Sequence, residues 1–567
     1  MENFSKATDR ERRDYLLQRY SALKDIRAPY LKNWLEIVKY IAPYSGCFHL
    51  EDITALRDQR YILDNKAARC IDDLVGALGS YATPKTLPWF RLTGDTEESR
   101  YDHAAQLWLG QVQSVLNSVL FKSNTYDSLH AIYRDLCVFG TAASIMVEDP
   151  VRVVHHHVLP VGSFCIQNDN NGQVSTLYRE FELTVAQAAR EFGLTNLSKN
   201  IKEAYDQGNL EAKFKFLHAI EPREDRNLNS SSNLDMAWAS YYVELGNDKK
   251  GILRESGYPY FPCIVPRWDI HGNEPYGISP ALLALPDIKS LMHITLSKAK
   301  MVDIMIEPPL QVPLSARQNP VSLYAGSVNY VPTTGNDQSI KPILQQTGSY
   351  EVVSNEVDKL HQRIEQTFFH DIFFMLQQFA TTRKTATEVT GLREEKMAVL
   401  GPVVERLQRE CQEPLINVPY RILRNAGVIP DPPASLLSTL GGKEFEIKFE
   451  GLLAQSQRAM AIAPTAEFIA TIQSTSASLP DAIYRIDIDG LVDVLADLYG
   501  INRTILRDKQ AADRIRQEVA QQQQQQQDLA AGESIGNTIN TLAQAQKAGA
   551  DASLATTQMD GSSLMGL

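Results

Sequence analysis

Two stretches near the middle of the chain carry apolar residues along a single narrow line at helical spacing. In the first, Leu285, Ile288, Met292, Leu296 and Ala299 step by 3, 4, 4 and 3; in the second, Val357, Leu360, Ile364, Phe368, Ile372, Met375 and Phe379 step by threes and fours. Ser279 is placed to cap the first helix and Pro280 suits its first turn, while the second starts after Ser354. Between them, "IEPPLQVP", "SVNYVP" and "SIKPILQ" read as a small, proline-broken β module over about 304–346. A helix of about 24 residues is roughly 36 Å long, and so small a module cannot cover its stripe. The expectation is that identical copies around an axis bury it, each packing on the next through an interface that closes on itself.

The flanking regions are mixed. Helical periodicity runs over 10–41, with Pro29 as a break or kink, and again over 67–78, 103–120 and 126–139. From Ala143 the period falls to two in "ASIMVEDP", "VRVVHHHVLP" and "SFCIQNDNNGQVSTLYREFEL", where Asn171-Gly172 suits a hairpin turn. Short helices over 185–192 and near Ile201, then a polar loop "NLNSSSNLD", lead to strands at "SYYVEL" and "GILRES". Residues 1–275 thus read as one α+β unit. Beyond the second long helix, Thr385 and Glu388 form a T-x-x-E capping box that opens a third. Its seam is Val389, Leu392, Val399, Val403, Leu407, Cys411 and Leu415, with kinks expected at Gly401-Pro402 and Pro414 and an end near Gly427. A strand "KEFEIKFEG", helical runs around 459–472, 491–498 and 507–520, and seven glutamines before an Ala/Gln/Gly/Ser tail follow.

The chemistry of an enzyme is not found. No phosphate-binding G-x-x-x-x-G-K-[ST] or G-x-G-x-x-G occurs. "YGISPA" is superficially a nucleophile elbow, but the residue after Ser279 is Pro280, which has no N–H to donate to an oxyanion. His155 and His157 share one face of a strand without a third ligand nearby in sequence, and read as sheet-surface residues. His361 and His370 do not share a helix face, and Phe368, Phe369, Phe373, Phe374 and Phe379 read as packing rather than a base-stacking band. No catalytic, cofactor-binding or metal-binding residue is assigned. Six scattered cysteines without a CxxC pair fit a reducing compartment. The first twenty residues lack the apolar core of a signal peptide, and no apolar run reaches the roughly 20 residues of a membrane span, so a cytoplasmic chain with no membrane partner is expected. A net charge of -12 opposes tight wrapping of nucleic acid, which needs clustered cations.

Three segments carry a specific likeness: "PRWDIHGNEPYGISPALLALPDIKSLM" (266–292), "RKTATEVTGLREEKMAVLGPVVERLQRECQEPLI" (383–416) and "GINRTILRDKQAADRIRQEVAQQQQQQQ" (500–527). With the order of the parts, they make the chain resemble the portal, or head-to-tail connector, proteins of short-tailed bacteriophages over nearly its whole length. The resemblance implies a predominantly α, α+β ring subunit, in about twelve copies, around a double-stranded DNA channel at one capsid vertex. It implies a wing over 1–275, stem helices over 276–303 and 354–380 with a clip between them over 304–353, and a tunnel loop over 381–386. It further implies a long kinked helix over 387–427, a return to the wing over 428–455, a crown over 456–520 and a flexible tail over 521–567.

"FATTRKTATEV", at the joint of two amphipathic segments, then resembles the family's tunnel loop. It presents Thr381, Thr382, Arg383, Lys384 and Thr385 to the bore, where two cations meet phosphates and hydroxyls bond without reading sequence. From the residues alone, an ordinary solvated turn is the alternative. A mostly negative bore with one basic ring touches the duplex without holding it. The partners implied are sister copies, the terminase large subunit, major capsid and scaffolding proteins, the tail adaptor and internal core proteins. The implied work is procapsid assembly, packaging, head-to-tail joining and ejection, in the host cytoplasm and then the virion. The rival readings are another structural virion protein, such as a scaffold or internal core component, and a serine hydrolase using Ser279.

Overall fold

Thr8 opens the first helix by a capping box: its hydroxyl accepts from the backbone N–H of Glu11, whose carboxylate accepts from Thr8. The structure is a computed structural model that describes residues 8–46, 59–96, 99, 102–227, 230, 232–246, 251–313, 322, 324–331, 341–342, 350–370, 400–437 and 445–450, and in the last quarter 471, 490–492, 495, 512–522, 524, 541–544 and 547. Helix α1 (Asp9–Tyr40) continues through Pro29 rather than breaking there. Pro29 lies on an exposed face, as does Asp25, whose carbonyl the proline leaves unbonded, so water serves it.

Strands β4 (Phe164–Asn168), β5 (Val174–Thr184), β6 (Lys213–Pro222), β7 (Trp238–Glu244) and β8 (Arg254–Tyr258) form an antiparallel sheet in that order. Alternation sends Tyr178, Leu217, Ala219, Tyr241 and Val243 to one face, where they bury Leu16, Tyr20 and Leu23 of α1. Phe216 and Tyr242 point the other way, beneath α5 (Val185–Phe192) and α6 (Lys199–Asp206). The expected turn at Asn171-Gly172 is present: Gly172 has φ +76°, and Asp169 Oδ1 accepts from the backbone N–H groups of Asn171 and Gln173. A second sheet runs β3 (Val153–Leu159), β2 (Ala143–Asp149), β9 (Cys263–Ile264).

The larger core joins α2 (Lys66–Tyr81), α3 (His103–Lys122) and α4 (Thr125–Phe139) to the C-terminal half of α1 and to later elements. One of those comes from far along the chain: β1 (Phe90–Thr93) pairs antiparallel with β13 (Glu446–Phe449), clamped by an Arg91–Glu450 ion pair of 2.8 Å. Another is the helix from residue 400, which carries a π segment at Gln408–Gln412 just ahead of α9 (Glu413–Asn425). Pro414 has no N–H for the carbonyl four residues back, and a widened turn absorbs the mismatch where a plain kink was expected. Gly401 and Pro402 are helical, and the residues just before 400 lie outside the described residues. Its buried line is Leu400, Val404, Leu407, Cys411 and Leu415, so Val404 takes the place expected of Val403, which packs half-buried at the edge.

The two long helices correct the opening expectation. Helix α7 (Pro280–Ile306) and α8 (Tyr350–Thr367) lie against each other, with β10 (Leu310–Pro313), β11 (Val328–Val331) and β12 (Lys341–Pro342) between them in sequence as a three-stranded sheet. Leu285, Ile288 and Met292, with Val357, Leu360, Ile364 and Phe368, are buried inside a single chain, in the same core as α2 and α4. No second copy is needed to shelter them. Leu291, not on the expected line, is buried too. Leu296, by contrast, is 43% exposed, because beyond Met292 the helix leaves the bundle; Ala299, Met305 and Ile306 are exposed as well. Helix α8 starts four residues before Ser354, at Tyr350, and closes at Thr367 instead of running on to 380, with Phe369 at φ +58°. Ile372, Met375 and Phe379 lie outside the described residues, as do Val389, Leu392 and most of 456–511. Residues 512–522 are helical and exposed.

Because the α7–α8 seam closes within the protomer, Ile364→Ala lowers the unfolding free energy of unassembled chain by about 2–5 kcal/mol. Denaturant titration at concentrations too low for assembly measures it.

Candidate functional site

Of the polar residues singled out from the sequence, Ser279 and the histidines fall among the described residues. Ser279 is buried and its hydroxyl accepts from the backbone N–H of Leu282 at 3.0 Å, capping α7. A hydroxyl so placed is no exposed nucleophile. His155 and His157 share a face of edge strand β3 with ring centroids 4.7 Å apart, edge to face. His156 points inward, with Nε2 3.0 Å from Thr125 Oγ1 and both backbone polar groups bonded to the Asn124 amide. Among the described residues no three His, Cys, Asp or Glu side chains gather as a metal site. His361 meets Asp64 at 2.9 Å and His370 meets Asp73 at 3.5 Å. With Lys66–Glu365 and Arg363–Asp287, they tie α8 and its end to α7 and to the first half of α2 and the residues just before it. Phe369 packs toward Trp268, at 6.0 Å between centroids. Cys70, Cys137, Cys165, Cys263 and Cys411 are buried free thiols, and burial alone or as the largest cause pushes Cys70 and Cys165 up to about 11. Thr381, Thr382, Arg383, Lys384, Thr385 and Glu388 lie outside the described residues.

What the structure does bring together is the "PRWDIHGNEPYGISPA" segment. Arg267, 1% exposed, donates through Nε (3.1 Å) and Nη2 (2.6 Å) to the two oxygens of Glu410, and its backbone N–H bonds the same carboxylate at 3.0 Å. Its remaining donors reach Asn168 Oδ1 at 3.0 Å and the carbonyl of Gly172 at 2.8 Å. One guanidinium therefore fixes the π segment, the end of β4 and the β4–β5 turn, with its fork geometry fully used. Arg406 adds a bond to the carbonyl of Trp268 at 2.9 Å.

Beside this junction the chain crosses itself closely. A Cβ on Gly277 would strike the carbonyl oxygen of Gly140, and one on Gly140, at φ +78°, would strike Gly277 in turn. The crossing is pinned by the Gly277 N–H to Thr141 Oγ1 at 2.8 Å and the Trp268 N–H to the Gly140 carbonyl at 2.9 Å. Tyr276, fully buried, packs against Tyr30 at 4.9 Å and Trp34 at 5.4 Å, and its hydroxyl accepts from the Ile166 N–H. Sequence reasoning picked out this segment but missed Glu410, Asn168 and Gly140 as its partners. The available signal was an acid in the buried run between Leu407 and Cys411.

The site so built is a mechanical junction, with every strong donor committed and no free nucleophile or acid–base pair. The fold is α+β and mainly helical. The chain matches the bacteriophage head to tail connecting protein family over residues 13–506. It is 36% identical over 519 residues to the probable portal protein of Bordetella phage BPP-1, covering 91% of this chain and 93% of that one. With the portal protein of Salmonella phage epsilon15 it is 31% identical over 544 residues, covering 95% and 96%. Among solved structures, the neck of an empty gene transfer agent particle computed with C6 symmetry aligns at TM-score 0.35 and 11% identity, over 75% of this chain and 91% of that one. That likeness is too loose to equate elements. The protein belongs to the head-to-tail connecting protein family of bacteriophages.

Removing one partner of the buried pair strands the other, so Arg267→Met costs about 3–5 kcal/mol, and adding Glu410→Leu recovers most of it. Urea unfolding of the single and double variants tests this. A second expectation concerns acid. Burial, more than the neighbouring His155 and His157, pushes His156 down to about 4, and burial also holds His218 well below its ordinary value. Both fold as neutral rings, so the unfolded chain takes up more protons. The contribution is fully present above pH about 6.5 and is lost as pH falls toward 4, by up to about 3 kcal/mol for His156. His156→Gln flattens that part of the decline, read by unfolding at pH 7 and at acid pH.

Proposed function

We propose that the chain is the subunit of a portal ring at one capsid vertex, through which double-stranded DNA enters during packaging and leaves at ejection. Family membership over 13–506 and two relatives named portal protein, each matched over more than nine tenths of its length, carry this reading. On it, the body formed by α1–α6 and the sheets, with β13 returning to β1, is the wing; α7 and α8 are the stem; the β10–β12 sheet is the clip. The exposed apolar residues Leu296, Met305 and Ile306 on the far half of α7 are then faces for sister copies, probed in a ring of about twelve. Terminase, capsid and scaffolding proteins, the tail adaptor and internal core proteins are the partners the reading entails, and hydrolysis of ATP belongs to the terminase.

Thr381, Thr382, Arg383, Lys384 and Thr385 form the tunnel loop in this scheme, with Thr385 and Glu388 capping the helix that follows. Two cations per copy repeat around the bore and meet phosphates irrespective of sequence. Negative-stain imaging of the purified chain tests the ring: closed rings with a central hole are expected, and monomers at every salt concentration reject it. Arg383→Ala with Lys384→Ala leaves the rings intact but impairs packaging or genome retention. Packaging, retention and ejection at wild-type levels by that double variant reject the loop assignment.

A further inference from the structure

The sequence contains one Asn-Gly pair, Asn171-Gly172, in the β4–β5 turn. Glycine after asparagine leaves its backbone nitrogen open to the asparagine side chain, because no Cβ stands in the way. In a free chain that nitrogen attacks Cγ of the asparagine: an N–C bond forms, the Cγ–Nδ2 bond breaks, and ammonia leaves with the proton the nitrogen carried. Water then opens the five-membered imide at either carbonyl, to aspartate or to isoaspartate, in which the main chain runs through Cβ and is one carbon longer. Asparagine counts among the thermolabile residues for this reason. In the fold, Asn171 is exposed and its side-chain amide has no hydrogen-bond partner among the described residues, so the electrophile is available. The nucleophile is restrained: the Gly172 N–H donates to the Asp169 carbonyl at 3.1 Å. Asp169 Oδ1 holds the N–H groups of Asn171 and Gln173 on either side, each at 2.9 Å. Arg267 completes the hold from outside the turn, its Nη2 donating to the Gly172 carbonyl at 2.8 Å.

We propose that Asn171 is a deamidation site that the Arg267 junction keeps closed, reacting when Arg267 releases the Gly172 carbonyl and the turn is free to bring the Gly172 nitrogen onto Cγ. The conversion runs one way. Isoaspartate at position 171 displaces the Gly172 carbonyl along a lengthened chain and leaves a donor of the buried guanidinium without its acceptor, so a junction that has opened and reacted does not close as before. The inference concerns the single chain and stands apart from the ring.

Peptide mapping of the full chain by mass spectrometry, after incubation at neutral pH and with fragmentation that separates aspartate from isoaspartate, tests it. Asn171 in the folded wild type is expected to react about tenfold or more slowly than in the same chain unfolded in guanidinium chloride. Arg267→Met with Glu410→Leu speeds the reaction of the folded chain about threefold or more, through local opening of the turn. Arg267→Lys, which keeps the charge without the fork, shifts the rate in the same direction. Amide hydrogen exchange within α4 stays as slow in both variants as in wild type, which separates opening of the junction from unfolding. Equal rates at Asn171 in the folded and unfolded wild type overturn the proposal, and so does an unchanged rate in both variants. Acceleration that comes only with loss of protection in α4 overturns it too, since the whole chain has then opened.

Discussion

An arginine that has left water must find a partner for each of its donors, and the arrangement around Arg267 follows from that demand. Its guanidinium spends itself on Glu410 and, far from it in sequence, on Asn168 and the Gly172 carbonyl at the two ends of one turn. None can move without uncovering a buried charge, a far larger penalty than the loss of an exposed ion pair. The π segment that presents Glu410, the positive-φ turn at Gly172 and the two-glycine crossing at Gly140 and Gly277 all serve the same convergence. The junction fastens the π segment to the end of β4 and the β4–β5 turn.

Burial of the α7–α8 stripe within one protomer changes how assembly has to be understood. Had the stripe been open, folding and ring closure would be one event, with no stable free subunit. With Ile288, Ile364 and Phe368 at most 1% exposed in the single chain, the stripe is sheltered without a neighbour, and in the proposed ring association joins surfaces that are already folded. Among the described residues, what is left for neighbours is the far half of α7 and other exposed apolar side chains.

Much of the architecture was legible in the chain. Ser279 with Pro280, the 185–192 helix and the period-two strands rest on local rules that neighbours do not overrule. The misses share one cause, in that each depended on what lies alongside. Periodicity put Leu296 and Met292 on the same stripe, but only the end of the bundle decides that one is covered and the other is not. Likewise Pro29 was read as a break or kink, and the helix does not break there because its face is exposed. Arg267 was part of a recognisable segment, yet its partner lies 143 residues away, beyond any local pattern. The loop at 381–385 was read from family likeness and residue chemistry, and its role rests on those grounds alone.

The pairing of β1 with β13 has an implication for how the polypeptide is made. Phe90 leaves the ribosome long before Phe449, its cross-strand neighbour, so the first strand waits with an open edge through most of translation. Gln113 covers only the opposite edge of β1, its amide bonding the Phe90 carbonyl and the Leu92 N–H. A nascent chain cut short before the last strand lacks this closure and offers sister chains an incomplete body. Completion of this sheet therefore waits on residues from far down the chain.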